Sequence, residues 1–414
     1  MIQSAYKKGF FHLLSANFLT QFLGFGTSIL LAKFLTPSEI GEVRIIQTYS
    51  AIFIIFGGFG FGSALLKFCS SRNAPEQNQF LFNFSLAGSL VASAVSVGAL
   101  VTLSHLGLIS ASENVTRWMI PYSSVIVFSV LTTLIFNYLQ SLKKIKEMSK
   151  SQSLLKLLSF ILIVGATYAF GFPGFIWSTV AAYLIGLASL WQWLGLRVQL
   201  TAAHFERLPP GFMWTAGISF SGNAIAIIGL YTDMFMLDHL VSNRAEIGHY
   251  ALANLFMIAA MQVTGTIQSI TTPYFTENST DLKWIKRQLW QLQGRSIFIS
   301  LAVSMGVFLL AWLTVKYFLG LAYDPMLVFL PILLIRYMLH AATSLFGVAM
   351  FAQGRIGLNV TIATISTSTG LILSYWFIQS FGTVGAAWAQ VVSAMISLFL
   401  QLALNIAILG RAHR

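Results

Sequence analysis

The sequence predicts an all-α polytopic membrane protein of about 12 transmembrane helices in two parallel six-helix bundles, residues 1–200 and 201–414. Three observations predict it: composition, the length of the apolar runs, and an internal duplication. The chain is 57% hydrophobic and only 9% charged, with mean hydropathy +0.78, whereas soluble domains carry roughly 25% charge. A soluble fold of this length has no means of hiding so much apolar surface. The apolar residues fall in runs of about 18 to 25, the length that crosses a hydrocarbon layer of about 30 Å as helix.

Charge, Pro and polar clusters separate the runs. In the first half they place spans at 12–34, 43–66, 80–104, 118–141, 154–171 and 174–196. In the second half they place them at 212–238, 248–273, 296–319, 327–352, 358–379 and 383–409. The polar start, residues 1–9, does not resemble a cleavable signal, because the apolar run after it is too long and lacks a small-residue cleavage site. The longest connections, 197–211 and 274–295, are too short to be domains. The second carries Leu282, Ile285, Leu289 and Leu292 at helical spacing, with Lys283, Lys286 and Arg287 between them. That pattern predicts an interfacial amphipathic helix with its cations towards anionic lipid.

Loop charge orients the chain. About 17 of the 24 Lys and Arg fall on the side of the amino terminus, about 5 on the other, and Lys156 and Arg336 fall inside spans. Cytoplasmic loops carry the excess of basic residues, so both termini are expected in the cytoplasm. The same bias accounts for most of the net charge of +12. No basic stretch with interleaved aromatics forms a soluble domain, which argues against a nucleic-acid partner. Cys69 is the only cysteine, which excludes an intrachain disulfide or a cysteine-based metal site.

The duplication shows in two landmarks. Glu39-Ile40-Gly41 returns as Glu246-Ile247-Gly248, 207 residues on, and Gly171-Phe172-Pro173-Gly174 with Trp177 returns as Gly382-Thr383-Val384-Gly385 with Trp388, 211 residues on. Six spans per half is an even number, so the second half enters the membrane in the same sense as the first. Parallel repeats of this kind leave a cleft between bundles, and rocking would open it to each side in turn.

Catalytic patterns are missing: there is no phosphate-cradling Gly-rich loop, no His-Glu-x-x-His and no Gly-x-Ser-x-Gly elbow. The sequence therefore predicts no enzyme, no cofactor and no ATP-driven step on this chain. Ionisable groups inside spans cost about 2.5 to 3.5 kcal/mol at a helix centre on insertion scales, so each is a functional candidate. Arg336 lies about ten residues into its span, with His340 one turn later on the same face. The alternative for Arg336 is a structural pairing that locks two helices. Lys156, just inside the fifth span, either serves a ligand or snorkels to the surface. Asp233 is the deeper of the two acids, Asp233 and Asp238, near the outer end of the seventh span. Asp233 and His340 are the candidate ion-coupling groups, with Asp233 favoured. Amides recur at Asn17, Gln21, Gln47, Asn223, Asn254 and Gln262. Such groups either glue helices or line a wet cleft suited to a sugar.

The stretch Lys33-Phe34-Leu35-Thr36-Pro37-Ser38-Glu39-Ile40-Gly41 looks like the "R-x-L-G-P-x-E-x-G" turn of a known family, with Lys33 for Arg and Thr36 for Gly. Tyr231-Thr232-Asp233, followed by Glu246-Ile247-Gly248-His249-Tyr250, looks like its second-half counterpart. On these residues the chain resembles the Wzx-type polysaccharide flippases of the multidrug, oligosaccharidyl-lipid and polysaccharide exporter superfamily. The resemblance implies a bacterial inner membrane protein that moves a polyprenyl-pyrophosphate-linked oligosaccharide, an O-antigen or exopolysaccharide unit, to the outer leaflet. It implies membrane lipid and polysaccharide assembly proteins as partners, and contacts from Arg336 and Lys156 to pyrophosphate or acidic sugars. Two alternatives remain open on the residues: a drug-cation exporter of the same superfamily, which would want acidic groups in the cleft, and a membrane polysaccharide polymerase, which would want a larger outer loop.

The topology has a direct check. A cysteine placed at Lys146 in a Cys69→Ser background is expected to resist an impermeant thiol reagent added to intact cells and to react after permeabilisation; ready labelling from outside would invert the orientation.

Overall fold

The computed structural model describes residues 2–70, 75–194 and 208–410, and the side chains of all of these but 2–17, 273, 356 and 408–410. Its long elements are helices: α1 (Ile2–Phe34), α2 (Pro37–Gly58), α3 (Phe61–Cys69), α4 (Pro75–His105), α5 (Glu113–Tyr122) and α6 (Ser124–Ser141), then α7 (Ile145–Leu194), α8 (Phe212–Leu240), α9 (Arg244–Glu277), α10 (Leu282–Thr314), α11 (Met326–Ala352) and α12 (Ile356–Gly410). Among the described residues, nine helices are long and apolar enough to cross a membrane. Two of the nine, α7 and α12, each fold back on themselves and hold two spans, and α1 supplies one more, which brings the spans to twelve. The chain is thus a multi-pass helical membrane protein.

The two fold-backs share one device. Gly171 has φ 62° and ψ −142°, and Gly382 has φ 59° and ψ −142°, a region open to glycine and costly to any residue with a Cβ. Three residues on, a Cβ at Gly174 would run into the Ala166 carbonyl, and one at Gly385 into the Phe377 carbonyl. One glycine turns the chain, and the next lets the returning helix start against the backbone of the outgoing one. The returning arms then pack: Gly186 lies against Leu155, and Ser393 Oγ donates to the Ser366 carbonyl at 2.9 Å.

The Glu-Ile-Gly landmarks are helix starts. Thr36 N and Oγ1 donate to Glu39 Oε2 at 2.8 and 2.9 Å, and Glu39 N donates back to Thr36 Oγ1 at 3.3 Å. In the second copy Asn243 Oδ1 accepts from Ala245 N at 3.1 Å while its Nδ2 donates to Glu246 Oε1 at 3.1 Å. Reciprocal capping of this kind satisfies orphan N–H groups of the first turn and is worth about 0.5 to 2 kcal/mol.

The chain forms two compact units, the first of Met1–Leu35 and Ile45–Ile227, the second of Thr36–Arg44 and Ile228–Arg414. In unit 1, α6 packs on α3, α4 and α7, and α7 on α1 and α5. Its core includes Leu65, Phe82, Ile135, Tyr138 and Phe212. In unit 2, α11 is central, against α9, α10 and α12. There the first turn of α2 crosses the first turn of α9 backbone to backbone. A Cβ at Gly248 would meet the Pro37 carbonyl, and one at Gly41 the Arg244 carbonyl.

Three expectations change. The second span breaks at Phe59 and Gly60, which have φ 40° and 70°, so α3 restarts as a separate helix. The fourth divides into α5 and α6 beside Pro121, whose ring removes a backbone donor from the helix. The amphipathic segment at 282–292 is no interfacial helix. It is the start of α10, opened by Asp281, which accepts from Trp284 N at 2.9 Å. Its apolar face is covered by protein: Ile285 and Leu289 are fully buried in a cluster with Phe275, Leu345, Phe346 and Ala349.

The glycine crossing generates a stability test on one helix. Gly248→Ala is expected to destabilise by about 1 to 3 kcal/mol through overpacking. Gly265→Ala, where a Cβ meets nothing within 4 Å, is expected to be neutral or to gain about 0.5 to 1 kcal/mol. Thermal unfolding in detergent should lower Tm only for the first.

Candidate functional site

Of the ionisable residues singled out from the sequence, Asp233, Asp238, Arg336 and His340 lie in unit 2 and Lys156 in unit 1. α8 brings Asp233, which is fully buried. Its Oδ2 accepts from Tyr250 Oη of α9 at 2.6 Å, and its Oδ1 accepts from the Met234 amide at 2.9 Å. Tyr250 is itself fully buried and meets Phe329 of α11 edge-on, with ring centroids 5.9 Å apart. On the same face of α9, two turns along, Met257 receives Arg336: the guanidinium Nη1 lies 3.6 Å from its Sδ.

Arg336 is half-buried. It stands within electrostatic reach of Asp233, Tyr250 and His340. Among the described residues no carboxylate lies within 4.0 Å of it. Its positive charge is therefore held beside a carboxylate but not consumed by a direct ion pair. Arg244 at the end of the helix bundle shows the contrast. Its Nη1 lies 2.6 Å from Asp238 Oδ1, with the acid's side chain fully buried, so that pair is closed.

The remaining unit 2 candidates divide. Asn254, one turn beyond Tyr250, has its Oδ1 buried with no partner among the described residues. Gln262 is exposed. Gln268 ties helices together, its Nε2 donating to the Ser344 carbonyl at 3.1 Å. His249 bridges to the chain beyond α10, Nε2 to the Ala322 carbonyl at 2.8 Å. Glu246, already in its cap, also accepts from Thr383 Oγ1 at 2.8 Å, which binds the start of α9 to the fold-back of α12.

In unit 1, Lys156 of α7 is half-buried over α1, where a Cβ on Gly24 would come within 3.5 Å of its Cε and Nζ. Gln21, one turn earlier on α1, is exposed, and Gln47 on α2 is half-buried. The Asn17 side chain lies outside the described residues. Asn223 of α8 is exposed and lines a small cavity together with Asn137 of α6.

Sequence reasoning missed three participants. Tyr250 escaped because a tyrosine in an apolar run reads as core; its position 17 residues after Asp233, almost two turns into the next helix, was the available signal. Met257 carried no signal. Asn137 was a lone amide in an apolar span, and only the fold shows what it faces. Among the described residues no group of three or more His, Cys, Asp or Glu is placed to hold a metal ion.

A family model described as "Polysaccharide biosynthesis protein" matches residues 6–279. No curated protein matches the sequence. Among solved structures, the lipid II flippase MurJ in an inward closed conformation superposes with TM-score 0.75 at 17% identity, over 94% of this chain and 86% of that one. A multidrug resistance MATE family transporter of the MOP superfamily, inward-facing, gives 0.73 at 13% identity, over 95% and 96%. A MOP superfamily transporter from Pyrococcus furiosus, described as having reversed polarity in its binding pocket, gives 0.66 at 14% identity, over 98% and 96%. At these identities the structures establish a shared fold.

Proposed function

This chain belongs to the polysaccharide biosynthesis protein family, and from that premise we propose that it is a flippase, a transporter and not an enzyme. Its cargo is a sugar or oligosaccharide on a polyprenyl pyrophosphate, an O-antigen or exopolysaccharide unit. It carries that cargo from the cytoplasmic to the outer leaflet of the inner membrane, with both termini in the cytoplasm. Two bundles, residues 1–200 and 201–414 by the sequence repeat, rock, with residues 36–44 clustered with the second and α8 as far as Ile227 clustered with the first, and polysaccharide assembly proteins take over the product.

One observation supports the choice of cargo above the others. Arg336 is a half-buried cation in the middle of a span, with no carboxylate within 4.0 Å among the described residues. A guanidinium offers a planar fork of donors that matches two phosphate oxygens, and such charge-assisted pairs are about twice as strong as neutral ones. Lys156 supplies a second cation, a point charge on a flexible stem. The lipid tail needs no site because the bilayer dissolves it.

The drug-cation reading loses ground on Asp233. A cation exporter needs an acid open to its cargo, and here both Asp233 oxygens are taken by Tyr250 and Met234 with no exposed surface. The polymerase reading loses ground on the loops: on the outer side only residues 106–112 separate α4 from α5.

Energy for the step is available without a nucleotide. Moving one negative charge outward down an inside-negative potential yields about 2.3 kcal/mol per 100 mV, and a pyrophosphate diester carries two. Asp233 is the group positioned to add a proton-linked contribution, because the buried Tyr250 contact must be remade whenever its protonation changes; His340 is the lesser candidate.

Two measurements test this. In reconstituted vesicles Arg336→Lys should retain partial flipping of a polyprenyl-pyrophosphate sugar, while Arg336→Ala should lose about 90% or more, both at normal abundance in the membrane; loss of the Ala variant from the membrane would mean that Arg336 serves packing. Flipping by the parent protein should also rise under an imposed pH gradient, and Asp233→Asn should lose that response while His340→Gln keeps it. An Asp233→Asn protein with the full response would leave the membrane potential as the sole driving force.

A further inference from the structure

The break between α2 and α3 builds a cavity inside unit 1. Its volume is about 110 Å³, and it is lined by Gly58, Gly60, Ser63, Ser89, Asn137 and Asn223, with Thr133 and aliphatic residues between them. No charged side chain contributes to this lining. The cavity exists because helix α2 stops at Gly58 and Phe59 takes φ 40°, a left-handed conformation that costs a residue with a Cβ about 1 to 2 kcal/mol. Gly60 then allows α8 to approach so closely that a Cβ there would strike the Ala216 carbonyl.

Two features mark this cavity as a binding site. Two amides line it, Asn137 of α6, half-buried, and Asn223 of α8, exposed, so both are open to an occupant. Phe59 sits between the lining residues Gly58 and Gly60, and Phe220 one turn before Asn223 on α8: Phe59 stacks on Phe220 with centroids 5.1 Å apart and planes 24° apart, and Phe56 meets Phe220 edge-on at 5.4 Å. Phe56 and Phe59 are both exposed, at 47% and 39%.

Amides and hydroxyls without charge, next to open aromatic faces, suit a ring that is polar at its edge and apolar on its face. A phosphate would find no cation in the lining, and a drug cation would find no acid. We propose that this cavity is a subsite for one neutral sugar of the cargo, with the ring edge toward Asn137 and Asn223 and the ring face against Phe59 or Phe220. The proposal rests on the lipid-linked sugar reading and adds where the sugar is recognised. Lys67 stands one turn beyond Ser63 on α3, its Nζ 3.3 Å from Thr215 Oγ1, which supplies a cation one helical turn from the sugar position, where the adjoining phosphate would lie.

The test compares two short-chain polyprenyl pyrophosphates, one carrying a single N-acetylhexosamine and one without sugar, binding to the purified full-length protein in detergent. The parent protein should bind the sugar-bearing compound about tenfold more tightly, the equivalent of one or two net hydrogen bonds. Gly58→Leu fills the cavity from a position where a Cβ meets nothing within 4 Å, and it should bring that ratio close to one. Asn223→Leu, at an exposed position, should cut it at least threefold and serves if Gly58→Leu fails to fold. Equal binding of both compounds by the parent, or a tenfold ratio kept by a folded filling variant, would overturn the subsite alone. Binding of neither compound would overturn the lipid-linked reading and the subsite with it.

Discussion

The constraint on which this structure depends is the lack of water in the bilayer core, where every polar group must find its partner inside the protein. Many hydroxyls obey it by the shortest route, donating to the carbonyl one turn back in their own helix: Thr27 to Leu23 at 2.7 Å, Thr167 to Ile163 at 2.6 Å, Thr232 to Ile228 at 2.6 Å, Thr369 to Ile365 at 2.7 Å. Groups that cannot do so cross to a neighbour, as Gln293 Nε2 does to the Ala341 carbonyl at 2.7 Å. Against that background Arg336 stands out. Its charge is closed by no ion pair among the described residues.

The same constraint explains why glycine positions recur so faithfully between the halves while side chains do not. A fold-back inside a membrane protein must turn without exposing backbone. A single residue at positive φ, followed by a helix start pressed against the outgoing carbonyls, does this with almost no loop. Gly171 with Gly174 and Gly382 with Gly385 repeat that solution at one spacing and with dihedrals equal within a few degrees. Gly41 and Gly248 repeat another, the start of a helix laid against backbone. These are steric conditions that only hydrogen in place of Cβ meets, whereas apolar side chains in a membrane exchange freely.

That difference decides what the sequence made legible. Run length and loop charge carry the membrane class and the order of the spans, because the hydrocarbon core acts on every residue alike. The glycine landmarks carry the duplication. The segment at 282–292 misleads because an apolar stripe at helical spacing looks the same whether headgroups or Phe275 and Phe346 cover it. The break at Phe59 was hidden among glycines that are equally compatible with a straight packed helix. At the candidate site, Asp233 and Arg336 were visible one by one as charges in apolar runs. Their convergence depends on how α8, α9 and α11 pack, and the tyrosine between them is apolar in every respect but one oxygen.

The break in the second span is also where the two copies part. At the offset of the Glu-Ile-Gly repeat, Gly58 corresponds to Gly265, but Gly60 corresponds to Ile267, and α9 runs unbroken through that region. A β-branched residue does not take the positive φ that Gly60 adopts, so the second copy has no means of opening the same cavity. Unit 1 consequently holds a neutral, hydroxyl- and amide-lined space, and unit 2 a buried carboxylate, a tyrosine and an arginine in electrostatic reach of one another. A cargo made of uncharged rings joined to a charged pyrophosphate has two chemistries to be recognised, and a duplicated scaffold whose copies have diverged in this way can serve both. Selection for such a cargo would conserve the shared glycines that set the fold in both halves, and would hold the break at Gly60 in the first half only.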